Sequence, residues 1–247
     1  MPMLPASLNP ELNDVMPAMG DLRLFFLESG KTTPEAREFF AATLDAEERA
    51  RRDRFPTTEA KDLFAMSHGL TRVALSRWCA EQYGTEINPA DWRFTANRLG
   101  KPCAFLPDDR AEAPLFSLSH TRGAALVAVT SRGKIGVDLE SARRLANALP
   151  LANRYFAPEE CADVLSRPGV DLMRERFLHY WTLKEAYLKA LGLGITRPLA
   201  SFAFALEAGS ARLLYDHDGI RDDWRFPILA LPGDMMGAIA RGMPPGS

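Results

Sequence analysis

Residues 21–29 (DLRLFFLES) are almost continuously apolar and lie between Gly20 and Gly30, the pattern of a short strand. The period then changes. Thr33-Pro34-Glu35 opens a helix with a capping residue and a proline, and a second helical stretch starts near Asp45. Over 58–83, Leu63, Met66, Leu70, Val73 (or Ala74) and Trp78 return at spacings near 3.6, which predicts a long helix. Short strands follow at 91–95, 115–119, 124–130 and 135–140, with turns at Gly100-Lys101-Pro102 and Ser131-Arg132-Gly133. Pro158-Glu159-Glu160 begins a short helix, and 171–191 reads as a long one halted by Gly192 and Gly194. Segments 201–207, 211–215, 224–229 and 235–241 predict a closing sheet.

Strands cluster after helices instead of alternating with them, so the fold class is α+β. The order of strand, helices and strands occurs twice, over about 22–130 and 134–241, although no residue-level repeat accompanies it. The expected organisation is a lead-in (1–20), an N-terminal half (21–132), a C-terminal half (133–241) and a short tail (242–247).

The 247 residues carry a net charge of −2, which advertises neither nucleic acid nor an anionic membrane as partner. Three scattered cysteines, Cys79, Cys103 and Cys161, form no metal knuckle and no disulfide framework, as in a reducing compartment. Neither a signal peptide nor a membrane-spanning apolar run is evident, so a soluble cytoplasmic protein is expected.

Against this background the carboxylates stand out. Gly136-Val137-Asp138-Leu139-Glu140 places Asp138 and Glu140 at i and i+2, on one face of a strand, with Val137 and Leu139 turned to the core. A bare pair of this kind is most often a solvated edge strand. In Trp181-Thr182-Leu183-Lys184-Glu185-Ala186-Tyr187-Leu188-Lys189, Glu185 and Lys189 share a helix face, where the ordinary outcome is a surface ion pair. Trp181 on the same face predicts that this face is partly covered. If the three acids meet, they remain ionised together only around a cation. Their hard oxygens, without His or Cys beside them, favour magnesium or manganese over zinc. Such an ion keeps positions open for phosphate oxygens, which makes a phosphate ester or anhydride the expected substrate.

The cationic candidates are weaker by themselves. His120, between Ser119 and Arg122 at a strand end, suits an anion contact, although a histidine there is more often a structural hydrogen-bonder. Lys101 and Pro102 belong to a turn able to bring backbone close to a nucleotide. Arg49, Arg51, Arg52 and Arg54 form a charge run of the kind that is usually solvated. No phosphate loop, dinucleotide fingerprint or nucleophile elbow is present.

Four ordered elements resemble the Sfp-type 4′-phosphopantetheinyl transferases: GKP at 100–102, FSLSHT at 116–121, GVDLE at 136–140 and WTLKEAYLKALGLG at 181–194. The resemblance implies two similar α+β halves related by a pseudo-twofold, with coenzyme A in a cleft between them. It implies magnesium held by Asp138, Glu140 and Glu185 with the coenzyme A diphosphate, and Lys189 and His120 on that diphosphate or the 3′-phosphate. Ser119, Lys101 and Pro102 would serve the nucleotide end, with Arg51 on the 3′-phosphate side and Glu185 as the candidate base. The chain departs from the family at Leu63, where an arginine is often found, with Lys61, His68 or Arg72 as candidate replacements. It departs again at Glu48, where some members are basic. The implied partner is a small acidic acyl or peptidyl carrier protein, and the implied state is a monomer; Arg143, Arg144 and Arg154 are candidate docking residues, although a solvated loop is the commoner reading of such arginines. The rival readings are a non-catalytic coenzyme A or carrier-binding relative and a magnesium-dependent phosphoesterase.

Overall fold

The computed structural model describes residues 19–107, 113–142, 148–193, 197–218 and 222–244. The expected lead-in (apart from Met19 and Gly20), Arg143, Arg144 and the Gly194 helix stop lie outside these residues. The chain divides into two compact units at Arg132/Gly133, with 98–101 belonging to the second.

In the N-terminal unit, strands β1 (Arg23–Glu28), β5 (Ala124–Thr130) and β4 (Leu115–Thr121) form an antiparallel sheet in the order β1-β5-β4. The central strand has no charged residue and is buried along its whole length, as a strand covered on both faces must be. Helices α1 (Pro34–Thr43), α2 (Ala46–Asp53) and α3 (Thr58–Tyr83) precede the hairpin of β2 (Arg93–Ala96) and β3 (Pro102–Phe105). Each helix start is satisfied locally. Thr33 and Thr57 accept from the N–H of Ala36 and Ala60, and Asp45 forms a reciprocal capping box with Glu48. Met66, Leu70, Val73, Ala74 and Trp78 of α3 enter the core with Phe25, Val127 and Val129 of the sheet. Gly69 is needed for close packing, because a β-carbon there would lie 2.6 Å from the Phe40 β-carbon on α1.

In the C-terminal unit, β6 (Lys134–Ser141), β10 (Met235–Met243), β9 (Asp223–Ala230), β8 (Ser210–Asp216) and β7 (Phe202–Glu207) form an antiparallel sheet in that order. Helix α6 (Val170–Leu191) packs on β6 and β10, flanked by α4 (Ala148–Tyr155) and α5 (Pro158–Leu165). It ends at Gly192, whose φ of 73° is the left-handed conformation that closes a helix. Tyr187 sits among Phe202, Phe204, Trp224 and Phe226, and its hydroxyl donates to Asp216 at 2.5 Å.

The structure departs from the expected elements, or adds to them, at three places. Pro102 begins a strand and does not merely end a turn; proline is tolerated at the first residue of this short, exposed strand. Residues 148–155 are helical despite Pro150, which falls in the first turn, where its missing N–H has no intrahelical partner to lose. The last strand extends to Met243, so 242–243 are not tail.

Candidate active site

The site is assembled where α6 crosses β6. Gly136, Asp138 and Glu140 alternate on the helix side of the strand, and a β-carbon on Gly136 would run into the Ala186 carbonyl and the Ala190 N–H. The glycine therefore lets the helix backbone down onto the strand two positions before Asp138. β6 is an edge strand, as the bare pattern allowed, but it is not solvated: the Asp138 side chain is 8% exposed. Val137 and Leu139, on the opposite face, are buried as expected.

Lys189 does not form a simple surface pair with Glu185. Its Nζ donates to Asp138 Oδ1 at 2.7 Å, bridging helix and strand. Glu185, one turn earlier and half-buried, is pushed up to about 7, chiefly by burial, then by the charge of Asp138, with Glu140 adding and Lys189 opposing. Asp138 and Glu140 thus both act on Glu185. Glu185 Oε1 is buried with no hydrogen-bond partner among the described residues. Among those residues, however, no three His, Cys, Asp or Glu side chains are grouped closely enough to grip a metal ion as they stand. Trp181, one turn before Glu185, stacks on Phe177 and joins the apolar cluster of this unit, which accounts for the partial cover expected of that face.

Lys184, adjacent to Glu185, was not singled out from the sequence. It is fully buried and paired with the equally buried Glu160 of α5 at 2.8 Å, while also donating to the carbonyls of Leu199 and Phe202. Glu160 in turn accepts from the N–H groups of Phe204 and Ala157. Burial raises the Glu160 carboxyl and lowers the Lys184 ammonium, each against the pull of its partner. This pair fixes the rotation of α6, and hence the direction of its neighbour. A lysine whose neighbours one helical turn away, Tyr180, Trp181, Tyr187 and Leu188, are all aromatic or apolar was the available signal.

The cationic candidates divide between the units. The Lys101 ammonium donates to the carbonyls of Ile135 (2.9 Å) and Ala190 (3.4 Å), at the β6–α6 contact. His120 is exposed at the end of β4, while Ser119 is buried on the opposite face. The face of His120 continues through Leu118 and Phe116 into a cavity of about 390 Å³ within the N-terminal unit, which Arg51, His68, Phe94 and Pro102 also line. Arg51 lies over the Phe64 ring at 5.5 Å and makes no ion pair among the described residues.

Of the candidates for the role of the missing arginine at Leu63, Arg72 is eliminated. It is fully buried, bound to Glu48 at 2.6 Å, Asp45 at 3.2 Å and the Trp92 carbonyl at 2.6 Å. His68 Nδ1 is taken up by Glu48 at 2.9 Å, and Lys61 lines a separate hollow with Arg37 and Arg52. Glu48 serves here as the counter-charge of Arg72.

The family model of the 4′-phosphopantetheinyl transferase superfamily matches residues 134–234. HetI, a 4′-phosphopantetheinyl transferase of Nostoc sp., is 37% identical over 166 residues, 66% of this chain and 66% of its own. The Bacillus subtilis 4′-phosphopantetheinyl transferases Sfp and ffp are 31% and 34% identical, over 70% and 66% of each chain. The chain belongs to the 4′-phosphopantetheinyl transferase superfamily.

Proposed function

We infer that this chain transfers the 4′-phosphopantetheine arm of coenzyme A to a serine of an acyl or peptidyl carrier protein and releases 3′,5′-ADP. The observation that carries the mechanism is the meeting of α6 and β6 at Lys189 and Asp138, 2.7 Å apart, with Glu185 one turn earlier on the same helix. A carboxylate at the edge of this site can take up the proton of a serine hydroxyl, a poor nucleophile unaided, directly or through a water. The carrier oxygen attacks the pantetheine-side phosphorus, its proton passes to Glu185, and the bond to the bridging oxygen breaks. Lys189 places a positive charge where the diphosphate develops negative charge.

Magnesium, or manganese, fits the donor set. Asp138, Glu140 and Glu185 are hard oxygen ligands, and the buried, unsatisfied Glu185 Oε1 is an atom that a cation would satisfy. Those three residues would hold the ion, which would draw charge from the leaving diphosphate. We place the reaction in the cytoplasm with the enzyme a monomer; no helix among the described residues is long and apolar enough to cross a membrane.

Intact-mass measurement of an apo carrier protein incubated with the chain, magnesium and coenzyme A tests the reading. One added phosphopantetheine, abolished by a chelator, is the expected result. Hydrolysis of coenzyme A with no gain in carrier mass would replace the transferase with a phosphoesterase.

A further inference from the structure

A cation already stands beside the acids of the C-terminal unit, and it belongs to the chain. The Asp138 side chain is 8% exposed, so its charge needs a partner close by, and the Lys189 ammonium meets Oδ1 at 2.7 Å. Any divalent ion held by Asp138 competes for that carboxylate. An oxygen engaged by an ammonium offers less negative charge to an ion, and the two cations repel at such short range. The spacing of the acids agrees with this state: with Lys189 on Asp138, no three carboxylates among the described residues stand close enough together to grip an ion. One turn earlier, Glu185 Oε1 is buried with no hydrogen-bond partner among those residues, so an acceptor stays open beside the lysine. Lys189 is able to leave. Its side chain is 30% exposed, and the ammonium rides on a flexible stem. Asp138, by contrast, is fixed on β6, which pairs with β10 from Lys134 to Ser141.

We propose that Lys189 stands in for the divalent ion at Asp138 and is displaced when the ion binds. The pair keeps the buried carboxylate matched until the ion arrives, and the ion's arrival frees the ammonium to turn toward the diphosphate. The proposal rests on the magnesium site inferred above and involves residues of the C-terminal unit alone. A site closed by its own lysine in about nine molecules of ten takes up the ion about tenfold more weakly than an open one.

Binding of manganese alone to the full chain, followed by the electron paramagnetic resonance of the free ion, tests it without substrate or turnover. Lys189→Met should bind manganese about tenfold more tightly than the unchanged chain. Lys101→Met removes an equal charge from the same β6–α6 contact, where the ammonium rests on carbonyls, and should alter the affinity by less than about threefold. Equal gains in the two variants would reduce Lys189 to one positive charge among others and overturn the proposal, as would no gain from Lys189→Met. A second readout follows the lysine itself. In the unchanged chain the nitrogen NMR signal of the Lys189 ammonium, assigned by its loss in Lys189→Met, should shift and exchange its protons faster as magnesium is added. A signal unmoved at saturating magnesium overturns the displacement whatever the affinities. Absence of manganese binding in all of these proteins sinks the magnesium reading and the displacement with it. Failure of the transferase reading shows separately, as an unmodified carrier in the intact-mass measurement, and leaves these readouts untouched.

Discussion

Lys189 and Asp138 are 51 positions apart and meet at 2.7 Å, the ammonium on α6 reaching down to the buried carboxylate on β6. The contact brings a positive charge to a place where Asp138 and Glu140 already raise the proton affinity of Glu185. It links the helix that carries the candidate base to the strand that carries the other two acids, so one side chain serves both geometry and electrostatics.

Lys189→Met should therefore lower carrier modification by about 10²–10³-fold, the usual loss when a preorganised charge is removed from a reacting centre. Far-ultraviolet circular dichroism should be unchanged, because Lys189 retains partial exposure. Near-normal turnover in a folded variant would remove Lys189 from the mechanism.

The Glu160–Lys184 pair should behave as a buried ion pair. Glu160→Gln or Lys184→Met alone is expected to cost about 3–5 kcal/mol, since each leaves an unmatched buried charge. Combining Glu160→Gln with Lys184→Met should cost less than the sum of the two single changes. Urea unfolding of the single and double variants provides the comparison, and strict additivity would contradict direct pairing.

Gly136→Ala puts one methyl group between β6 and α6, against backbone atoms that cannot swing aside. A loss of about 1–3 kcal/mol or more is expected in the thermal or urea midpoint. Gly30→Ala, with nothing within 4 Å of the added carbon, is the control and should change stability by less than about 0.5 kcal/mol.

Glu48 sets an acid limb. Burial pushes its carboxyl up, but the hydrogen bond with His68, the charge of Arg72 and the Asp45 N–H together hold it down to about 2. A folded-state value below the unfolded one contributes stability that is fully present above about pH 4.5 and is lost as pH falls toward 2. Unfolding free energies measured across that window should decline, and Glu48→Gln should flatten the decline. An identical slope in the variant would show that other carboxylates set it.

Much of this architecture was legible along the chain because its signals are local. The 3.6-residue recurrence of Met66, Leu70, Val73 and Trp78 placed α3, and the two-residue alternation at Asp138 and Glu140 placed both acids on one strand face. Strand β3 and helix α4 left no clear local signal, since a proline at an element's first turn or edge looks the same in sequence as one that breaks it.

The order of residues alone determined which acids share a strand face, which helix carries Glu185 and Lys189, and the family that the motifs resemble. It could not determine which faces are covered or which charges meet. Asp138 is buried only because Gly136 lets α6 settle on β6, and Lys101 is spent on the carbonyls of Ile135 and Ala190. Arg72 belongs to Glu48 rather than to a ligand. Periodicity fixes direction within one segment, whereas burial and pairing depend on segments brought together from far along the chain, and those contacts were decided by the tertiary structure.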